Sequence, residues 1–306
     1  MKLLDQIMAL LPLRRVDVAK RFALQRKAIS GTMSIFYMAR DLTNDQIVGL
    51  KILDKKKTAA FESRFRGLKK PREGEIALLF AHPHIVRTLE HGITINAEQF
   101  VVMEFIEGAG LNSLLTERSP RLEGNRLRFI RQAAEALVAV HSAGFIHRDI
   151  CPRNFMITDE KPRVKLIDFG LSVPAKPPFL QPGIRTGTPN YMAPEVVRRK
   201  PTDKRLDVFA FGVTAYEVCT GQLPWFSGET GMAAMRHDTM PPHDIRELRP
   251  QINPTLAKAI HSCLEADPSK RCRSMEAFLA MIRGVEDEDQ PEKQPKPPRA
   301  GQAKNA

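Results

Sequence analysis

The sequence predicts an α+β protein of two lobes, and three observations carry that expectation. Residues up to about 105 alternate strand-like segments with turn clusters, residues from 106 onward show helical periodicity, and a charged, proline-bearing stretch closes the chain. With 306 residues, 42% hydrophobic and 27% charged, the chain can bury ordinary cores and is too apolar for a disordered polymer. The longest apolar runs, such as Leu137 to Val140, fall far short of the roughly 18 residues of a membrane span, so none is expected. Asp5 interrupts the only leader-like apolar run, and no secretory signal is read. Cys151, Cys219, Cys263 and Cys272 stand without a CxxC pair or a metal-ligand spacing. A reducing cytoplasm suits that pattern better than a disulfide framework or a zinc site.

Residues 1–21 read as an N-terminal extension and 22–105 as a small antiparallel-sheet lobe with one main helix. Ser34–Asp41 and Ile47–Leu53 are strands, and Thr43-Asn44-Asp45 between them is a turn cluster, which together make a hairpin. A helix is expected over Glu73–Ala81, followed by strands at Ile85–Leu89 and Phe100–Glu104. The larger, mostly helical lobe is expected over 106–283. There Leu127, Ile130, Ala134, Leu137 and His141 recur on one helical face, and Ser142-Ala143-Gly144 supplies the stop. From Gly284 to Ala306 the acidic run Glu286-Asp287-Glu288-Asp289 precedes prolines among Gln and Lys, with no apolar period, and a disordered tail is expected. The net charge of +12 (47 Lys+Arg against 35 Asp+Glu) is concentrated in Lys51–Arg72. No aromatic residues stack through that basic run as a base-reading surface requires, so it reads as solvated surface and no specific nucleic acid is expected.

The chemistry-bearing residues follow the glycine stop: His147-Arg148-Asp149-Ile150-Cys151-Pro152-Arg153-Asn154, then the strand-like Val164–Ile167 running into Asp168-Phe169-Gly170, then Ala193-Pro194-Glu195. This order resembles the eukaryotic-type protein kinase family, in its bacterial-like Ser/Thr form, whose H-R-D-x-x-x-x-N, D-F-G and A-P-E elements stand in the same sequence. The resemblance covers about residues 22–283 and implies a bilobal protein kinase-like fold. It also implies ATP and Mg²⁺ as cofactors, a protein substrate, and transfer of the γ-phosphoryl group to Ser/Thr hydroxyls. Such transfer needs carboxylates to hold the cation and another to face the incoming hydroxyl.

By resemblance, Asp149 is the catalytic base and Asn154 and Asp168 are the metal ligands. Val48-Gly49-Leu50-Lys51 resembles the family's V-A-I-K strand, which places Lys51 on the phosphates and in a pair with a helix glutamate. Glu73 is preferred for that pair from its spacing to His82-Pro83-His84-Ile85-Val86, with Glu75 as the alternative. Met103 would gate the adenine pocket, the backbone of Glu104 to Ile106 would bond the base, and Phe36 and Gly49 would line its roof. Ile29 and Gly31 fall in the phosphate loop. Thr188 would bond Asp149, Glu195 would pair with Arg271, and Asp207 would brace the loop carrying Asp149. Two positions depart from the pattern. Ile29-Ser30-Gly31-Thr32-Met33-Ser34 keeps one glycine of three, which weakens a backbone cradle for phosphate. Cys151 stands where Ser/Thr kinases carry a lysine, while Arg153 occupies the place where tyrosine kinases carry a compensating arginine. The alternative reading is a pseudokinase, a scaffold with weak or no transfer.

Overall fold

In a computed structural model that describes residues 15–30, 33–182, 185–225 and 233–289, six strands form the sheet of the first lobe. They are β1 (Arg15–Val16), β2 (Phe22–Ser30), β3 (Ser34–Asp41), β4 (Gln46–Leu53), β5 (Thr88–Thr94) and β6 (Gln99–Glu104), in the order β1-β5-β6-β4-β3-β2. Only the β1–β5 pair is parallel. The hairpin closes because Asp41 accepts from Thr43 N (3.0 Å) and Thr43 Oγ1 (2.7 Å) while Asp45 takes a left-handed φ of 61°. Val48 and Leu50 of β4 bury one face against Phe22, Ala39, Phe100 and Val102.

Three features of this lobe differ from the sequence expectation. Residues 15–21 belong to it: Arg15 and Val16 pair with Ile93 and Thr94, and Arg21 reaches Asp41 (2.8 Å) and Glu90 (2.7 Å). The segment Ile85–Leu89 is not a strand from its start. Ile85 and Val86 turn to the other lobe, where Ile85 bridges Leu166 and Val86 N–H donates to Leu166 O at 2.9 Å, and the strand begins at Thr88. The main helix is shorter than expected. An additional helix, α1 (Lys55–Glu62), leads through a 3₁₀ turn at Ser63–Phe65 to α2, which spans only Glu73–Ala77. After Ala77 the bonds tighten to i−3, with Leu79 N–H on Ile76 O and Phe80 N–H on Ala77 O. Pro83 just beyond disfavours helical geometry at His82, so the helix cannot continue.

The second lobe is built around α5 (Arg205–Thr220), preceded in the chain by α3 (Leu111–Thr116) and α4 (Arg126–Ser142) and followed by α6 (Pro254–Cys263) and α7 (Met275–Met281). Every residue from Leu206 to Tyr216 of α5 is buried, as befits a helix apolar on all sides. Short strands lie at its upper edge: β7 (Gly108–Gly110), β9 (Phe155–Thr158) and β10 (Val164–Leu166) form one sheet, and β8 (Phe145–Ile146) pairs with β11 (Val173–Pro174). Gly144 ends α4 at φ 82°, as its sequence predicts. The chain does not leave the body at Gly284. Val285 is buried, and Glu288 is held by Arg126 (3.0 Å) and Arg249 (2.7 Å), with Asp289 on the same Arg249 (2.7 Å). The cations that neutralise this acidic run come from distant parts of the chain. No helix among the described residues is long and apolar enough to cross a membrane, and all four cysteines are free and buried.

Candidate active site

Strand β4 presents Lys51 into the cleft between the lobes, and the N-terminal turn of α2 presents Glu73 to it. Lys51 Nζ donates to Glu73 Oε1 at 2.6 Å and to Asp168 Oδ1 at 2.8 Å. Burial works against the Lys51 charge, but the Asp168 and Glu73 carboxylates outweigh it and hold the ammonium above its ordinary value. Burial lifts Glu73 above the usual carboxylate range, whereas Lys51 more than offsets burial at Asp168 and holds it below that range. Asp168 sits at a left-handed φ of 69°, steadied by Gly170 N–H on its Oδ1 at 2.9 Å. A Cβ on Gly170 would lie 3.1 Å from Asp168 Oδ1 and 3.2 Å from Glu73 Oε2. Of the two candidate glutamates, the geometry selects Glu73. Glu75 instead accepts Arg72 N–H at 2.7 Å and closes the start of α2.

Asp149 lies on the loop after β8. Its Oδ1 accepts from Thr188 N (2.8 Å) and Thr188 Oγ1 (2.7 Å), and Asn154 Nδ2 donates to Asp149 O (2.6 Å) and Oδ2 (3.0 Å). Thr188 Oγ1 in turn accepts from Arg153 at 3.0 Å, and Cys151 Sγ lies 3.5 Å away. Burial first, and then the Asp149 carboxylate, push the Cys151 thiol up to about 12, so it stays neutral. Gly187 is required beneath this arrangement: its φ is 119°, and a Cβ there would come 2.7 Å from Arg148 O. Asp207 of α5, fully buried, fixes the loop from below by accepting His147 N–H and Arg148 N–H at 2.8 Å each and bonding His141 Nε2 at 2.9 Å. Glu195 and Arg271 form the second buried pair, at 2.7 and 3.0 Å.

The sequence profile of the protein kinase domain family matches residues 23–280. This chain belongs to that family. The kinase domain is similar to Serine/threonine-protein kinase pkn3 of Myxococcus xanthus, 32% identical over 287 residues, 89% of this chain and 51% of that protein. It is also similar to Serine/threonine-protein kinase PknL of Mycobacterium tuberculosis (34% over 225 residues, 72% of this chain and 54% of that protein). A third similarity is to Hormonally up-regulated neu tumor-associated kinase homolog B of Xenopus laevis (34% over 236 residues, 76% and 36%). The chain thus spans about half the length of the two bacterial relatives.

At the back of the cleft of this kinase domain, Leu53, Val86, Val101 and Met103 form a buried apolar cluster on which Phe36, Ile106 and Ile167 pack. Gly49 permits that packing, since a Cβ there would meet Phe36 Cζ at 2.7 Å and Met103 Cγ at 3.0 Å. Glu104 N–H is engaged by Arg87 O, and the Glu104 carboxylate holds Arg87 N–H and Lys165 Nζ at 2.9 and 2.7 Å. Ile167 and Gly170, which the sequence offered only as the end of a strand and the last residue of Asp168-Phe169-Gly170, also belong to the site. The backbone of Ile29 pairs with Phe36 in the sheet, while Gly31 lies outside the described residues.

Proposed function

We propose that this kinase domain transfers the γ-phosphoryl group of ATP to Ser/Thr hydroxyls of protein substrates. The observation that carries the reading is the hydrogen-bonded set Asp149–Thr188–Asn154 beside the Lys51–Glu73–Asp168 set, in which the lysine and the glutamate are buried. Asp149 accepts the hydroxyl proton as the hydroxyl oxygen bonds to the γ-phosphorus and the bond from that phosphorus to the bridging oxygen breaks, releasing ADP. Thr188 and Asn154 turn the Asp149 carboxylate toward the incoming hydroxyl and hold it there. Lys51 neutralises the α- and β-phosphates, and Glu73 keeps its ammonium aimed at them. The purine fits the apolar cluster that includes Met103 and Phe36, with Glu104 and Ile106 supplying backbone groups and Gly49 the roof.

The donor set fits Mg²⁺. Asp168 commits Oδ1 to Lys51 and Gly170 yet keeps its side chain 40% exposed, and Asn154 uses its amide nitrogen on Asp149, which leaves its amide oxygen as a hard donor. Two protein donors suffice for a cation that keeps waters and takes its remaining ligands from phosphate. Bound there, Mg²⁺ would neutralise charge on the phosphate oxygens. The buried, neutral Cys151 cannot provide the missing cation, whereas the exposed Arg153 stands one hydrogen bond from Thr188 and is assigned that task.

The test is Mg²⁺-dependent transfer of labelled γ-phosphate to a generic protein substrate and to the chain itself, with Asp149→Asn beside the wild type. A loss on the order of 10²–10⁴-fold in the variant is expected. Wild-type protein that transfers nothing, or phosphotyrosine as the sole product, would overturn the reading, the first in favour of a pseudokinase.

A further inference from the structure

Residues 54–72 hold eight basic and two acidic residues, a balance of +6, which is half of the net charge of the whole chain. Folding does not use up those cations. Thr58 and Phe61 of α1 and Phe65 of its 3₁₀ turn are buried, whereas Lys55, Lys56, Arg64, Arg66 and Lys69 stay exposed. Arg64 lies 6.0 Å over the Phe61 ring, which holds the later cations against α1. Several exposed cations elsewhere are paired: Arg40, Arg198 and Arg246 each meet a carboxylate, at 2.9, 2.7 and 2.6 Å. Among the described residues none of the five does. The two acids of the stretch serve other groups, Asp54 accepting Lys57 N–H at 2.9 Å and Glu62 accepting from Gln99 Nε2 at 3.0 Å.

Helix α1 also opposes its own dipole, because lysines and no acid occupy its first turn, at the positive end. A local conflict of this kind belongs where a sequence serves binding as well as folding. The stretch borders the segment that carries Thr188. Phe65, between Arg64 and Arg66, packs on Phe179 with ring centroids 5.8 Å apart, and Phe179 stands on the stretch joining Asp168 to Thr188. Chemistry narrows the partner. A second copy of a chain with net charge +12 would be repelled. Both aromatic rings of the stretch are buried, so neither can stack on bases, and no large apolar side chain is exposed there to enter a membrane. An acidic peptide needs neither, only cations that lack carboxylates of their own.

We propose that the surface formed by Lys55, Lys56, Arg64, Arg66 and Lys69 docks an acidic segment of the protein substrate, apart from the acceptor hydroxyl held at Asp149. The substrate role rests on the kinase reading above; the binding of an acidic peptide does not. Docking of this kind raises the local concentration of the acceptor and leaves the transfer step itself unchanged.

The experiment uses the full chain with all five residues changed to Gln, beside a control in which the exposed Lys161, Lys200, Lys258, Arg273 and Arg283 are changed to Gln. The two variants carry the same net charge. A labelled oligo-glutamate peptide is expected to bind the wild type at low salt, to lose about tenfold in affinity in the docking variant, and to stay within about twofold in the control. For an acceptor peptide carrying the same glutamate tract, KM should rise by a similar factor in the docking variant while kcat holds. The acceptor peptide without the tract should show no difference. Absence of binding to the wild type, or equal losses in the two variants, would overturn the docking surface. Phosphatidylserine vesicles that bind through these five residues when the peptide does not would overturn it in favour of a membrane. If the wild type transfers no phosphate, the binding comparison still decides the docking surface, and only the kinase reading fails.

Discussion

Two buried ion pairs use the same chemistry to different ends. Arg271 bonds Glu195 with both terminal nitrogens and also donates to the carbonyls of Glu265 (2.8 Å), Arg205 (2.8 Å) and Ala266 (3.1 Å). Its fork is saturated by groups of the same lobe, and the pair is closed. Lys51 meets two carboxylates instead of one, and one of them, Asp168, is 40% exposed. Its partners are an open side and a five-residue helix. The scaffold pair binds the second lobe to itself, whereas the site pair keeps a cation desolvated on one side and available on the other.

Removal of one partner from each pair separates these roles most sharply. Glu195→Ala strands the Arg271 charge in the interior, and a stability loss of about 3–5 kcal/mol is expected in urea unfolding. Lys51→Met is expected to cost only about 1 kcal/mol of stability, because Glu73, already lifted by burial, can take up a proton and Asp168 can face water. Its cost appears instead in phosphoryl transfer, by about 10²–10³-fold. Equal stability losses in the two variants would erase the distinction between scaffold and site.

The scaffold side also carries a titration. His237 Nδ1 donates to Met192 O at 2.9 Å, one residue before Ala193-Pro194-Glu195, and its ring lies 4.3 Å from Trp225 and 5.3 Å from Phe209. Nε2 is buried without a hydrogen-bond partner, so a proton there would place a second N–H in apolar packing. Burial accordingly pushes the His237 pKa down to about 4. A histidine whose folded pKa lies below its unfolded value near 6.5 favours the fold fully above pH 6.5, and that contribution fades as pH falls toward 4. About 3 kcal/mol should be lost across that window. The single tryptophan, Trp225, reports the unfolding directly, and His237→Gln should flatten this part of the pH profile.

The residues of the second lobe were the more legible in sequence. Asp149, Asn154, Asp168, Glu195 and Asp207 stand in short motifs that resemble those of the kinase family, and the structure gives each of them specific polar partners. The first lobe hid more. Strand β2 escaped because irregular register between Leu24 and Arg26 and between Lys27 and Ile29 breaks the period of two that marks a strand. Helix α1 sits in a run of lysines that reads as solvated surface, and its buried Phe61 is recognisable only beside Phe65 and Phe179, more than a hundred residues apart at the extremes. The acidic run at 286–289 looked solvated because Arg126 and Arg249 are far from it in sequence.

The open site pair predicts a smaller, coupled effect in the roof of the cleft. Gly49→Ala would drive a methyl into Phe36 and Met103, but the Phe36 contact is the far end of a ring that can turn, so about 1–2 kcal/mol is expected, at the low end of overpacking costs. KM for ATP should rise about tenfold at that cost. Phe36→Val in the same chain should restore it, since the smaller side chain vacates the space the new Cβ needs. Independent effects of the two substitutions would show that they do not share one wall.

The smallest expected effect distinguishes the two glutamates at the start of α2. Glu75 accepts one backbone N–H on an exposed turn, so Glu75→Ala should lower stability by only about 0.5–1 kcal/mol, the ordinary worth of a helix cap. Transfer activity should stay within about twofold of wild type, because the bond to Lys51 belongs to Glu73. Glu73→Ala should instead lower transfer strongly and touch stability little, since the group removed is itself costly to bury. Both residues lie on the same helical turn with the same charge. A reversed outcome, with Glu75→Ala silencing transfer and Glu73→Ala tolerated, would mean that the open pair is made by the other carboxylate and that α2 is turned by about two residues from the arrangement seen here.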